Sequence, residues 1–245
     1  RREVLVTRDF PAAVMLLDGA SGELKWSYAD FGPVGTLRAD QVAVADFNGD
    51  GKPDLLVKPG SFYPTTRAFS FADGFAADGA DNQIWAYEQR QRSVYNNPAV
   101  GDLDNDGTLE IAFFELNMLT VLNAESGTIQ ATINNCFAAG TAFRGLLAVA
   151  DMDSDPQNEL VFIGMESPNY TVGVVDVVDG TITWQLQWPA AAGKKLWAAE
   201  SSIIDLDAGG GKEIVVSVYN DTDNEIKTNG TPAADWDGVN RPNQW

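Results

Sequence analysis

Four short segments of the chain crowd oxygen-bearing side chains at alternate positions. VADFNGDGKPDLLV, from Val44, carries Asp46, Asn48, Asp50 and Asp54. VGDLDNDGTLEIAF, from Val100, carries Asp102, Asp104, Asp106 and Glu110. VADMDSDPQNELVF, from Val149, carries Asp151, Asp153, Asp155 and Glu159, and IIDLDAGGGKEIVV, from Ile203, carries Asp205, Asp207 and Glu213. A worn fifth copy, AADWDGVNRPNQW, ends the chain with Asp235 and Asp237. Counted from each lead Asp, the ligands stand at positions 1, 3, 5 and 9. Alternate side chains converge when a loop curls around an ion. A backbone carbonyl at position 7, from Lys52, Thr108 or Gln157, can help close the shell. Calcium takes about 6–8 hard oxygen ligands at ~2.3–2.6 Å, so the expected occupants are Ca2+, about three to four ions.

The copies differ in ways that rank them. Gly51 and Gly107 at position 6 permit a sharp turn. Pro156 stands there in the third copy, so its turn must differ. In the fourth, Gly209 replaces the ligand at position 5, and weaker binding is expected. The fifth has Val239 at position 5 and Asn243 at position 9, and is expected to be empty. An EF-hand would need a Glu at position 12 and flanking helices. Position 12 is Val57 in the first copy and Phe113 in the second, inside strand-like runs, which excludes that reading.

The elements that position these loops repeat with them. The lead aspartates Asp46, Asp102, Asp151, Asp205 and Asp235 are 56, 49, 54 and 30 residues apart. Such a period signals one supersecondary unit repeated. The third unit reads as strand 98–102, acidic loop, strand 110–116, strand 118–124, an ESG turn and strand 128–133. Four short antiparallel strands per unit predict an all-β fold, a β-propeller of four-stranded blades. Blade units are placed at about 1–30, 41–90, 97–134, 146–188 and 200–231 of a single domain, with 232–245 as the first strand and loop of a further or closing blade. Small residues precede four of the five lead Asp (Ala45, Gly101, Ala150 and Ala234, with Ile204 the exception), as crowded innermost strands require. Position 2 is always large and apolar (Phe47, Leu103, Met152, Leu206, Trp236) and reads as an anchor into the core. The chain starts in mid-blade and its last unit is short. The expectation is therefore an arc of a larger propeller within a longer chain or assembly, with five-bladed closure, Trp245 beside Val4, as the alternative.

Composition narrows the function. The net charge of −19 argues against nucleic acid. Fourteen of the 35 acidic residues lie in the first four loops, so the acidity is largely that of the loops themselves. There is no histidine, which excludes imidazole bases, Ser-His-Asp and Cys-His catalysis and His-ligated metals. The single cysteine, Cys136, forms no internal disulfide and reads as a buried hydrophobe. No apolar run approaches the ~18 residues of a membrane span. Sequons at Asn169, Asn220 and Asn229 are compatible with a secreted glycoprotein.

The D-x-D/N-x-D-G loops resemble the FG-GAP/VCBS repeats of integrin α-subunit propellers and of many secreted proteins. The segment ELVFIGMESPNYTVGVVDV (159–177) resembles the FG-GAP strand pair, with GMES in place of the name-giving tripeptide. The resemblance implies a calcium-binding propeller whose metals are structural and lie opposite the usual ligand face. It implies an extracellular or cell-surface, non-catalytic module for binding, adhesion or assembly, with a protein or glycan ligand. The inter-blade connections on that face carry Arg38, Arg90, Arg92, Arg144, Lys194 and Lys195 with Tyr95, Phe143, Trp188 and Trp197, a set suited to an acidic or sugar-like ligand. The competing expectation is a polysaccharide lyase with Lys or Arg as base. The aromatics Phe62, Tyr63, Phe69, Phe71 and Phe75 are expected in the core.

Overall fold

A computed structural model describes residues 2–8, 12–31, 41–60, 65–90, 97–137, 144–166, 169–189, 195–205 and 212–221. Strands β1 (Glu3–Arg8), β2 (Ala13–Asp18) and β3 (Leu24–Tyr28) form a three-stranded sheet. The second sheet comprises β4 (Val42–Ala45), β5 (Asp54–Val57), β6 (Thr65–Phe69) and β7 (Gln83–Glu88). The third comprises β8 (Ala99–Gly101), β9 (Glu110–Glu115), β10 (Met118–Asn123) and β11 (Ile129–Ile133). The fourth comprises β12 (Arg144–Ala150), β13 (Glu159–Glu166), β14 (Asn169–Asp176) and β15 (Thr181–Pro189), and β16 (Lys195–Ile204) pairs with β17 (Glu213–Asp221). Every sheet is an antiparallel meander in chain order. The one helical element among the described residues is a 3-10 turn at Gly79–Asn82, and no helix there is long and apolar enough to cross a membrane.

The first four sheets stack face to face, and the core lies in the layers between them. Strand side chains alternate between faces. In β9, Ile111 and Phe113 join Leu56, Trp85 and Tyr87 of the second sheet, while Ala112 and Phe114 join Leu160, Phe162 and Val175 of the fourth. A middle sheet is thus covered twice, and all six residues of β9 are buried. Leu55 and Val57 pack instead against Val14, Trp26 and Tyr28 of the first sheet. Edge-on aromatic contacts knit the third and fourth sheets, with Phe114, Phe137 and Phe162 at centroid distances of 4.8, 5.3 and 5.8 Å.

The first strands of successive sheets, β4, β8 and β12, run side by side. Their small residues are needed there: a Cβ on Gly101 would lie 3.0 Å from a Val149 methyl. Val42 packs toward the first sheet, yet Val44 on the same flank is 60% exposed. Residues 232–245, assigned from sequence to a further or closing blade, lie outside the described residues, as do Phe62 and Tyr63. Phe69 and Phe71 pack edge-on against Trp26, each at 5.1 Å, as core aromatics. Phe75 stacks on Phe71 but is 38% exposed, so it belongs to the core only in part.

One regularity escaped the sequence reading. The pairing of the last two strands shifts register at the same place in four sheets, at Leu16/Leu17, Ala68/Phe69, Val121/Leu122 and Val174/Val175. A bulge there increases the local twist of the outer strands.

Candidate metal centre

Each of the first three acidic loops joins the first and second strands of a sheet, and its last carboxylate opens the second strand. Asp54, Glu110 and Glu159 pair in register with Ala45, Gly101 and Ala150. All three are buried beneath their loops. One oxygen of each accepts the backbone N–H of position 2, from Phe47 (3.0 Å), Leu103 (2.8 Å) and Met152 (2.6 Å). Phe47 and Leu103 are buried anchors, as their type required, whereas Met152 is only half-buried.

The other ligands are held by the loop's own backbone. Position 3 accepts the N–H of position 5: Asn48 from Asp50 (3.0 Å), Asp104 from Asp106 (3.2 Å) and Asp153 from Asp155 (3.2 Å). Position 5 accepts the N–H of position 7: Asp50 from Lys52 (2.8 Å), Asp106 from Thr108 (2.7 Å) and Asp155 from Gln157 (2.7 Å). These are successive Asx turns, which Asp and Asn favour because the side chain reaches its neighbours' amides. The winding needs left-handed backbone at position 4, met by Gly49, Asn105 and Ser154 with φ of 71°, 59° and 70°.

The lead carboxylates differ. Asp46 accepts the N–H of Asp50 (3.1 Å) on one oxygen and of Gly51 (2.7 Å) on the other. Asp102 does the same with Asp106 (3.2 Å) and Gly107 (3.0 Å). Pro156 has no N–H to give. In the third loop Asp151 Oδ1 takes the N–H of Ser154 (2.6 Å), while Oδ2 lies 3.9 Å from Lys212 Nζ.

These donor sets fit a hard cation. Asp54 Oδ1 and Glu110 Oε1 are buried without a hydrogen-bond partner among the described residues, a costly state for a carboxylate unless something positive lies beside it. Burial pushes the Asp54, Glu110 and Glu159 carboxyls above their ordinary values, the neighbouring loop acids push the same way, and the position-2 N–H opposes them, joined at Asp54 by the stronger opposing pull of the Ser70 hydroxyl. Asp106 is held below the usual range by the Thr108 hydroxyl and N–H. Oxygens of Asp102, Asp104 and Glu110 lie within 4.8 Å of one another, and so do those of Asp151, Asp153 and Glu159. In the fourth loop Glu213 opens β17 opposite Ile204, the same register. Asp205 directly follows β16, while Asp207 and the fifth loop lie outside the described residues.

Two sets of contacts were not foreseen. Position 8 of one loop reaches back to the loop before it: Asn158 Nδ2 donates to the Asp102 carbonyl (2.8 Å), and Lys212 Nζ to the Asp151 carbonyl (2.6 Å). The sequence clue was faint, a polar residue at position 8 where the first two loops have Pro53 and Leu109. At the opposite ends of the sheets Lys58 and Glu115 are fully buried. Glu115 accepts from the Tyr87 and Thr120 hydroxyls, both at 2.8 Å, joining the second sheet to the third. Of the basic and aromatic set expected on that face, Arg90, just past the second sheet, donates to the Thr132 hydroxyl (3.1 Å) of the third sheet. Arg144 and Lys195 begin β12 and β16, and Trp188 and Trp197 lie within β15 and β16. Arg38, Arg92, Tyr95, Phe143 and Lys194 lie outside the described residues. Cys136 is buried, with its thiol pushed up to about 12 by burial.

Residues 39–68 match the FG-GAP repeat, a stretch that contains β4, the first acidic loop and β5. No curated protein matches the sequence. Among solved structures, the C-terminal domain of Pseudomonas aeruginosa PilY1 is similar at 14% identity and a TM-score of 0.54, over 89% of this chain and 52% of that one. The dihydro-heme d1 dehydrogenase NirN is similar at 10% identity and 0.53, over 78% and 36%. The rhamnogalacturonan lyase YesW is similar at 16% identity and 0.49, over 84% and 48%. The chain spans about half the length of YesW and of the PilY1 domain. At these identities the likenesses to PilY1 and NirN show the fold alone, an all-β arrangement of antiparallel sheets with propeller-like neighbours. The chain carries an FG-GAP repeat, consistent with an FG-GAP, β-propeller-like family.

Proposed function

We propose that the protein is a calcium-stabilised extracellular binding or assembly module without catalytic activity. The observation that carries the calcium reading is the buried, partnerless oxygen of Asp54 and of Glu110, each beneath a loop of further oxygen ligands. The first site would use Asp46, Asn48, Asp50, the Lys52 carbonyl and Asp54. The second would use Asp102, Asp104, Asp106, the Thr108 carbonyl and Glu110. The third would use Asp151, Asp153, Asp155, the Gln157 carbonyl and Glu159, with Asp205, Asp207 and Glu213 forming a weaker fourth. Bound calcium supplies charge neutralisation and cross-links the loop. A site of ~10⁻⁴ M affinity in ~10⁻³ M calcium gains RT ln 11, about 1.4 kcal/mol. Several such sites rival the ~5–15 kcal/mol stability of a typical domain. Millimolar calcium is an extracellular condition, and a chain without disulfides benefits from it. The face away from the loops is left for a protein or glycan ligand.

The test is melting in calcium and in EGTA. The melting temperature should rise by several degrees in calcium, and magnesium should substitute poorly because it demands near-ideal octahedral geometry. Equal melting in calcium and EGTA would mean that the loops are ordinary turns. New unsaturated ends on acidic polysaccharides incubated with the protein would show a lyase instead.

A further inference from the structure

We propose that Lys212 is a built-in counter-cation of the third acidic loop and sets how tightly that loop holds its metal. The inference rests on the calcium reading above. Lys212 belongs by sequence to the fourth loop, 61 residues beyond Asp151. Its ammonium nevertheless donates to the Asp151 carbonyl at 2.6 Å and lies 3.9 Å from Asp151 Oδ2. The equivalent residue one loop earlier is neutral: Asn158 donates to the Asp102 carbonyl at 2.8 Å and brings no charge. The two loops therefore share one backbone tie, made by an amide in one case and by an ammonium in the other.

The ammonium stands where something is missing. In the first and second loops the second oxygen of the lead carboxylate accepts the N–H of Gly51 or Gly107. Pro156 removes that donor, and Asp151 Oδ2 faces Lys212 instead. Without metal, the lysine offsets repulsion among Asp151, Asp153, Asp155 and Glu159. With metal, the same charge opposes the incoming cation. Both side chains are about one-third exposed, so water and salt screen the effect. A unit charge several Å from a divalent ion in such a setting changes affinity by about three- to tenfold.

Calcium titration calorimetry on the chelator-treated protein separates the possibilities. Lys212→Gln keeps a donor for the carbonyl and removes the charge. It should tighten one site about three- to tenfold at low salt, with the gap narrowing at high salt. The gain should vanish when Asp153→Ala is also present, because the third loop is then disabled. Lys25→Gln, which removes a lysine paired with Asp18 at a remote turn, should leave every affinity unchanged. An unchanged or weakened site in Lys212→Gln overturns the proposal, and so does a gain that survives Asp153→Ala. A wild type that takes up no calcium would defeat the calcium reading instead. The counter-cation role is then decided by melting in chelator: Lys212→Gln should melt below wild type, with Lys212→Arg restoring it, and equal melting overturns the role.

Discussion

At the scale of single residues, the loops show how ligand type and turn type coincide. Asp and Asn at alternate positions offer oxygens suited to a hard cation and are also the side chains that close Asx turns. Asp104 accepts the Asp106 N–H at 3.2 Å and lies in the close group with Asp102 and Glu110 that is proposed to hold calcium. Asp104→Ala should erase about 1.4 kcal/mol of the calcium-dependent stabilisation. At about 2–4 °C per kcal/mol for a chain of this size, that is a loss of about 3–6 °C in calcium. In EGTA the same change should be neutral or slightly favourable, because it relieves carboxylate repulsion. Scanning calorimetry of both proteins in both media checks this, and an equal loss in EGTA would make Asp104 a turn residue only. These positions were legible because ligand spacing is local. Position 8 was not, because its partner lies in another loop.

At the scale of elements, three equivalent hairpin turns separate backbone strain from packing. Gly22, Gly127 and Gly180 turn the outer hairpins of the first, third and fourth sheets, with φ of 75°, 69° and 65°. Space around Gly22 and Gly180 is open, but a Cβ on Gly127 would come within 2.5 Å of the Trp85 ring. The same tryptophan donates its indole N–H to the Ala124 carbonyl at 2.8 Å, so the turn of the third sheet is docked on the second. Gly180→Ala should cost about 1 kcal/mol, the price of the left-handed backbone alone. Gly127→Ala should cost about 2–4 kcal/mol, since a clash with the indole is added. Urea unfolding measures both, and equal costs would mean that the docking adds nothing. The hairpins were readable from their Gly turns. The bulges beside them were not, since they depend on how the outer strands twist to meet the next sheet.

At the scale of the whole molecule, stability resides between sheets rather than within them. Phe113 and Phe114 are consecutive, yet one fills the layer between the second and third sheets and the other the layer between the third and fourth. Each is fully buried. Phe113→Ala and Phe114→Ala should therefore each cost about 3–5 kcal/mol, through separate cavities. Ile129→Ala on the exposed outer strand should stay within about 0.5 kcal/mol. Chemical denaturation of the three variants provides the comparison. A mild effect of either phenylalanine change would contradict the stacked-layer core.

The sequence by itself determined the repeated unit, its four strands and the alternate oxygen-bearing positions of the first three loops. Each of these is set by residues close along the chain, through alternation, turn chemistry and ligand spacing. It also marked Gly101 as a place of close approach, because a strand of alternating small residues has few other uses. Only the tertiary structure decided which face of each strand meets which sheet, that Met152 is half-buried where Phe47 and Leu103 are buried, and that Asn158 and Lys212 cap carbonyls in preceding loops. It also placed the buried Glu115 beneath Tyr87 of a neighbouring sheet. Such contacts join residues 28 to 61 positions apart, and no local pattern encodes the distance between them.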